Sequence, residues 1–111
     1  LINIKDRGQI FRVDVDSIER IDAAGDYMCI YTADNSLILR ETMKDLEKRL
    51  DPRNFQRVHR SYLVALRFVT GLRTVDGAVL VRLRANGASP GIELPVSRRH
   101  ANVRGAYAEG K

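Results

Sequence analysis

The sequence predicts a mainly β fold, with about eight to ten short antiparallel strands and two short helices. Three observations carry this. Apolar residues come in runs of only a few positions, many of them alternating with polar ones. Turn-forming residues punctuate the chain at short intervals, as in Ala24-Gly25-Asp26, Asp34-Asn35-Ser36 and Asn86-Gly87-Ala88-Ser89-Pro90-Gly91. Only one internal stretch has its apolar residues at helical spacing. With 111 residues, the chain has room for one domain and one modest core.

Taken in order, Ile2 and Ile4 open a strand that Gly8 breaks, and Ile10, Phe11 and Val13 form its hairpin partner. Residues 18–23 and 27–32 are two further strands joined by the turn at Gly25 and Asp26. After the turn at 34–36, Leu37 and Leu39 face one way and Arg40 the other. Thr42, with Asp45 three residues later, resembles a helix cap. Met43, Leu46 and Leu50 make one apolar stripe, and Asp51-Pro52 ends the helix. Val58 and the apolar run 63–69 flank a polar interruption. Val79, Val81 and Leu83 alternate with Leu80, Arg82 and Arg84, and Ile92, Leu94 and Val96 form a last strand beyond the loop at 86–91. Ser97 is placed to cap a terminal helix running to about Tyr107, with Val103 and Tyr107 one turn apart. Phe11, Phe55 and Phe68 sit in core-like patterns.

The composition excludes several classes. No apolar run is long enough to span a membrane. A single cysteine, Cys29, permits no internal disulfide, fits a reducing cytoplasmic compartment and reads as a buried structural thiol. No Cys or His pair has metal-ligand spacing, and there is no Gly-rich phosphate loop, so no metal or cofactor is expected. His59 and Ser61 stand two apart in a turn without a glycine-flanked elbow, and the roles an active site needs cannot be filled. Asp14, Asp16, Glu19 and Asp22 read as solvated strand edges and turns. The expectation is a non-enzyme. The chain begins at Leu1, directly in strand-like sequence, as a fragment of a larger protein would.

The charge is unevenly spread. The net charge is +5, yet residues 1–55 carry −2 and residues 56–111 carry +7, the latter through nine arginines and one lysine. An Arg-rich half suggests a surface for a polyanion, because the guanidinium fork matches phosphate and guanine edges. Three segments concentrate the relevant side chains. Arg57-Val58-His59-Arg60-Ser61-Tyr62 reads as a turn anchored by Val58 with Arg60 and Ser61 outward, and His59 either contacts a ligand or braces the backbone. Val96-Ser97-Arg98-Arg99-His100 puts cations in the first turn of a helix, where the macrodipole disfavours them and a phosphate would resolve the conflict. Gly25-Asp26-Tyr27 is a tight turn with an aromatic at the following strand start.

Read together, Ile21-Asp22-Ala23-Ala24-Gly25-Asp26-Tyr27, Leu39-Arg40-Glu41-Thr42, Phe55-Gln56-Arg57-Val58-His59-Arg60-Ser61-Tyr62-Leu63-Val64 and Leu94-Pro95-Val96-Ser97-Arg98-Arg99 resemble a LytTR domain, the DNA-binding output module of many bacterial response regulators. The resemblance runs along nearly the whole of residues 1–111. It implies a LytTR-like, elongated stack of short antiparallel sheets that reads double-stranded DNA with loops entering successive major grooves. Carried over, Asp26 and Tyr27 serve the first contact, Arg60 flanked by His59 and Ser61 the second, and Arg98 the third. Arg99 falls to phosphate, and Arg57 to phosphate or to bracing the turn. The resemblance also implies repeated DNA half-sites, a monomeric isolated domain, and a receiver, sensor or membrane region preceding this one in a longer two-component regulator. Two positions depart from the family's habit: Ala65 stands where an Asn is frequent, and the first loop carries Gly25 and Asp26 where a basic residue or histidine is common.

Two other readings use the same charge. One is a β-rich protein-interaction module docking an acidic partner through the arginines. The other is a single-stranded nucleic-acid binder, which needs an aromatic stacking platform that seven aromatics without a Trp supply poorly.

Overall fold

The computed structural model describes all residues except 7, 34, 88, 89, 101–104 and 106–111. Among the described residues, ten strands form three antiparallel sheets. β1 (Ile2–Asp6) and β2 (Gln9–Val13) make a two-stranded sheet. β3 (Arg20–Ala24), β4 (Tyr27–Tyr31), β5 (Ser36–Leu39), β6 (Phe55–His59) and β7 (Tyr62–Ala65) make a five-stranded sheet in the order β5-β4-β3-β7-β6. β8 (Val69–Val75), β9 (Ala78–Leu83) and β10 (Ile92–Val96) make the third, in the order β10-β9-β8. The body is elongated, 43 × 26 × 23 Å. No helix among the described residues is long and apolar enough to cross a membrane.

One buried cluster runs through the sheets. Ile4, Ile18, Ile21, Ile30, Leu46, Val58 and Leu63 are fully or almost fully enclosed, and Val81 and Leu83 continue the cluster into the third sheet. Strand β4 has the period that such a one-sided sheet demands: Met28 and Ile30 are buried, Tyr27 is exposed, and Cys29 and Tyr31 are half-buried. The helix α1 (Met43–Lys48) lies where the apolar stripe places it. The hydroxyl of Thr42 accepts from the Asp45 amide at 3.0 Å, and Met43, Leu46 and Leu50 are buried. Arg49, at the end of α1, donates to the carbonyl of Asn3 and pairs with Glu41 at 3.3 Å, tying the helix to β1.

Three readings of the sequence change. Phe11 is 37% exposed although Ile4, its partner across the hairpin, is fully buried; Phe55 and Phe68 are buried as expected. Glu19 is fully buried, held by the Arg20 guanidinium at 2.6 Å, while Asp14 and Asp16 are exposed and Asp22 is half-buried. Cys29 is half-buried beside Asp22 in the register of β3 and β4. After Ser97, Arg98–His100 form a 3-10 turn and Gly105 is helical; Val103 and Tyr107 of the expected terminal helix lie outside the described residues, as do Ala88 and Ser89 of the 86–91 loop.

Candidate nucleic-acid interface

Antiparallel pairing decides which turns share an edge. β3 pairs with β7 so that Asp22 faces Tyr62, and therefore the β3–β4 turn and the β6–β7 turn leave the sheet on the same side. The Ala23 amide donates to the carbonyl of Ser61 at 2.8 Å and fastens one turn to the other. The third basic segment arrives from a different sheet. β6 and β7 lose register between Arg57 and His59, which takes the backbone of Val58 out of the ladder. The freed carbonyl of Val58 accepts from the Ser97 amide at 2.8 Å. Two backbone hydrogen bonds thus link Gly25-Asp26-Tyr27, His59-Arg60-Ser61 and Ser97-Arg98-Arg99 into one continuous edge.

The bulge has a local cause. Arg60 and Ser61 form a two-residue loop between His59 and Tyr62, and neither takes a positive φ. Two-residue hairpin loops match strand twist best with a positive φ at their first residue, so this one needs extra twist from the strand, which a bulge supplies. The β3–β4 loop solves the same problem differently, with Gly25 at φ 62°.

The turn at 59–61 is braced from behind. Arg57 donates through Nη2 to the carbonyl of Arg60 at 2.8 Å and through Nε to that of His59 at 3.4 Å. Its other edge faces Glu47 of α1 at 3.6 Å. His59 Nδ1 accepts from the Ser61 amide at 3.1 Å, which places the ring proton on Nε2, and its ring tilts against Tyr62 at 5.3 Å. Arg60 itself is exposed, and Ser61 is half-buried. His59 and Arg57 thus hold the backbone of the turn that presents Arg60.

The second segment is pinned in a similar way. The Ser97 hydroxyl and His100 Nδ1 share a hydrogen bond of 2.5 Å, and the His100 amide donates to the Ser97 carbonyl at 3.0 Å. Arg98 and Arg99 are exposed between these anchors. Burial lowers the pKa of His100, and the neighbouring Arg57 charge lowers it further; Glu47 acts against both, and His59 and Arg99 add to the lowering. His100 therefore shares its surroundings with the Arg57–Glu47 brace.

In the first segment Tyr27 is 48% exposed and the Asp26 carboxylate is open to solvent. Arg40 follows β5 and comes alongside: its guanidinium lies 3.9 Å from Asp26 and 5.8 Å from the Tyr27 ring. Sequence reasoning passed over Arg40. The signal was there, since Arg40 points opposite to Leu39, but the pairing of Leu39 with Met28 was needed to bring it beside Tyr27.

Other arginines of the basic half are engaged elsewhere. Arg73 makes a two-pronged contact with Glu93 at 2.6 and 2.7 Å, and Arg82 approaches the same carboxylate at 4.0 Å. Arg84 stacks on Phe68 at 4.3 Å, and Arg67 pairs with Asp16 at 3.5 Å. The charge asymmetry of the sequence is divided between the edge and such contacts.

Comparison with known proteins places this geometry. The family model for the LytTr DNA-binding domain matches residues 8–103. The CO-responsive transcriptional regulator RcoM of Rhodospirillum rubrum is 40% identical over 70 residues, covering 62% of this chain and 30% of the relative. The heme-containing CO-sensing transcriptional regulator RcoM 1 of Paraburkholderia xenovorans is 33% identical over 92 residues, covering 83% of this chain and 33% of the relative. The chain thus spans about a third of the length of these relatives. Among solved structures, the LytTr DNA-binding domain of a protein described as a methyl-accepting/DNA response regulator from Bacillus cereus superposes with a TM-score of 0.76, at 15% identity, over 96% of this chain and 94% of that one.

Proposed function

The chain belongs to the LytTR DNA-binding domain family, and on that premise we propose that it is the sequence-reading module of a longer transcription regulator, binding double-stranded DNA with the loops of one edge. LytTR domains are DNA-binding domains of transcription regulators; the assignment of individual residues is our reading. Arg60 reads a guanine edge through its fork, Arg98 makes the equivalent contact, and Tyr27 with Asp26 serves a further one, where Asp26 is suited to a cytosine amino group; together the three reach two successive major grooves and the backbone between them. Arg99 holds phosphate. Ser61 adds a hydroxyl to phosphate or base, while His59 and Arg57 keep the turn in shape.

One observation supports this above the rest: backbone hydrogen bonds from Ala23 to Ser61 and from Ser97 to Val58 hold three segments, drawn from two sheets, at fixed spacing along one edge. A rigid spacing of exposed side chains suits a repeating ligand such as a duplex. In the same reading the isolated domain is a monomer that takes one half-site of a repeated target, works in the cytoplasm, and is controlled by a receiver, sensor or membrane region elsewhere in the regulator.

Selection of bound duplexes from a random library at about 150 mM salt, where non-specific binding is suppressed, tests the proposal. Enrichment of a motif repeated at about one helical turn is the expected result. Retention of random duplex at low salt only, without enrichment, would overturn it.

A further inference from the structure

Beyond the loops that read bases, we propose a second DNA contact: a phosphate-binding groove between the β1–β2 hairpin and the end of β5, in which Lys5 and Arg40 hold the backbone of the duplex flanking the recognised site. The proposal rests on the DNA-binding reading above and extends the contact surface past Tyr27.

The groove, of about 670 Å³, is lined by Lys5, Tyr27, Ile38, Arg40 and Glu41. Tyr27 belongs both to the groove and to the reading edge, so the two surfaces are continuous. Lys5 and Arg40 are exposed, Lys5 on β1 and Arg40 just past the end of β5. The two nearby carboxylates do not cancel them equally. Glu41 is matched by Arg49 through two contacts of 3.3 Å. Asp26 meets Arg40 only at 3.9 Å, with both side chains mostly in solvent, at 82% and 74%. An exposed pair of that length contributes little. Arg40 can therefore exchange it for a phosphate at small cost, since a guanidinium–phosphate fork is short and charge-assisted.

The chemistry selects a phosphodiester backbone. Two cations drawn from two different sheets suit a ligand with charges spaced along its length, and the open groove lets a strand run through. The aromatic face and Ile38 lie beside the cations, where sugar carbons would pass.

The test compares the chain with the double variant Lys5→Gln/Arg40→Gln, both positions being exposed so that the fold is retained. Affinity is measured against salt concentration on two duplexes that carry the selected motif. One extends at least a helical turn past it on both sides, and the other is trimmed on the side facing the groove. Each phosphate contact contributes about 0.9 to the slope of log affinity on log salt, so the double variant should lower the slope by about two units on the long duplex and leave it unchanged on the trimmed one. An unchanged slope on the long duplex overturns the groove, as does an equal loss on both duplexes. Arg60→Ala, measured in parallel, separates the two readings. If it reduces discrimination between specific and random duplex while the double variant changes nothing, the groove alone is wrong. If neither variant has an effect, the DNA-reading edge fails with it.

Discussion

The amide of Ser97 donates to the carbonyl of Val58 across 2.8 Å. That bond exists because a bulge between Arg57 and His59 releases the Val58 carbonyl from the β6–β7 ladder. The irregularity that gives the Arg60 turn its shape therefore also supplies the attachment for the segment carrying Arg98 and Arg99. Two basic segments separated by more than thirty residues in sequence become one surface through a single backbone contact.

Arg60 and Arg99 should separate readout from affinity. Arg60→Ala should cost about 1–3 kcal/mol on the specific duplex and relax preference at one base position, as a lost two-pronged base contact does. Arg99→Ala should weaken specific and random duplexes alike and lower the salt slope by about one unit. Anisotropy titrations on both duplexes over a salt series distinguish the two patterns.

Arg57 should matter without touching the duplex. Its guanidinium donates to the carbonyls of Arg60 and His59 and leans on Glu47. Arg57→Ala should lower specific affinity by loosening the turn, and its effect should not add to that of Arg60→Ala, because residues in one hydrogen-bonded unit couple. A double-mutant cycle over Arg57 and Arg60 measures this; strict additivity would mean that Arg57 acts independently.

The Ser97–His100 anchor should respond to pH. Burial and the Arg57 charge depress the His100 pKa below its usual 6.5, with Glu47 opposing and His59 and Arg99 adding to the fall. The folded chain therefore binds this proton less readily than the unfolded chain. The resulting stability is fully present above about pH 6.5 and is lost as pH falls through the folded pKa. Asp22 works in the other sense: burial raises its pKa against the lowering by Arg20, so its protonation on acidification favours the folded state. Melting curves of the parent and His100→Gln from pH 7.5 downward isolate the histidine, and the variant should show the shallower loss.

The buried Glu19–Arg20 pair should be a point of fragility. Glu19 is fully enclosed, with the Arg20 guanidinium at 2.6 Å; that guanidinium also reaches Asp22 at 3.2 Å and stacks on Tyr31 at 4.0 Å. Arg20→Ala leaves two acidic groups without their shared cation and should cost about 3 kcal/mol. Urea unfolding should show this as a lower midpoint at unchanged slope.

How much of this was legible varied with the range of the interaction. Helix α1 was, because a cap at Thr42 and a stripe of Met43, Leu46 and Leu50 are local patterns. So was the antiparallel architecture, written in alternating short runs and turn residues. The three segments of the candidate edge were visible as motifs, and Arg60 could be assigned outward from the anchor at Val58. The roles of Arg57 and His59 were left open, because the sequence does not tell which carbonyl or amide a long polar side chain will reach.

By itself, then, the sequence determined the element types, the family and the candidate residues, since capping, periodicity and turn chemistry depend on neighbours within a few positions. Only the tertiary structure decided that Ala23 would meet Ser61, that Ser97 would meet Val58, and that Arg40 would stand beside Tyr27. It also decided that Glu19 is buried and that Phe11 is exposed. These outcomes depend on strand order, register and one bulge. Such long-range pairings are set by how whole sheets cover one another, and no local window of sequence contains them.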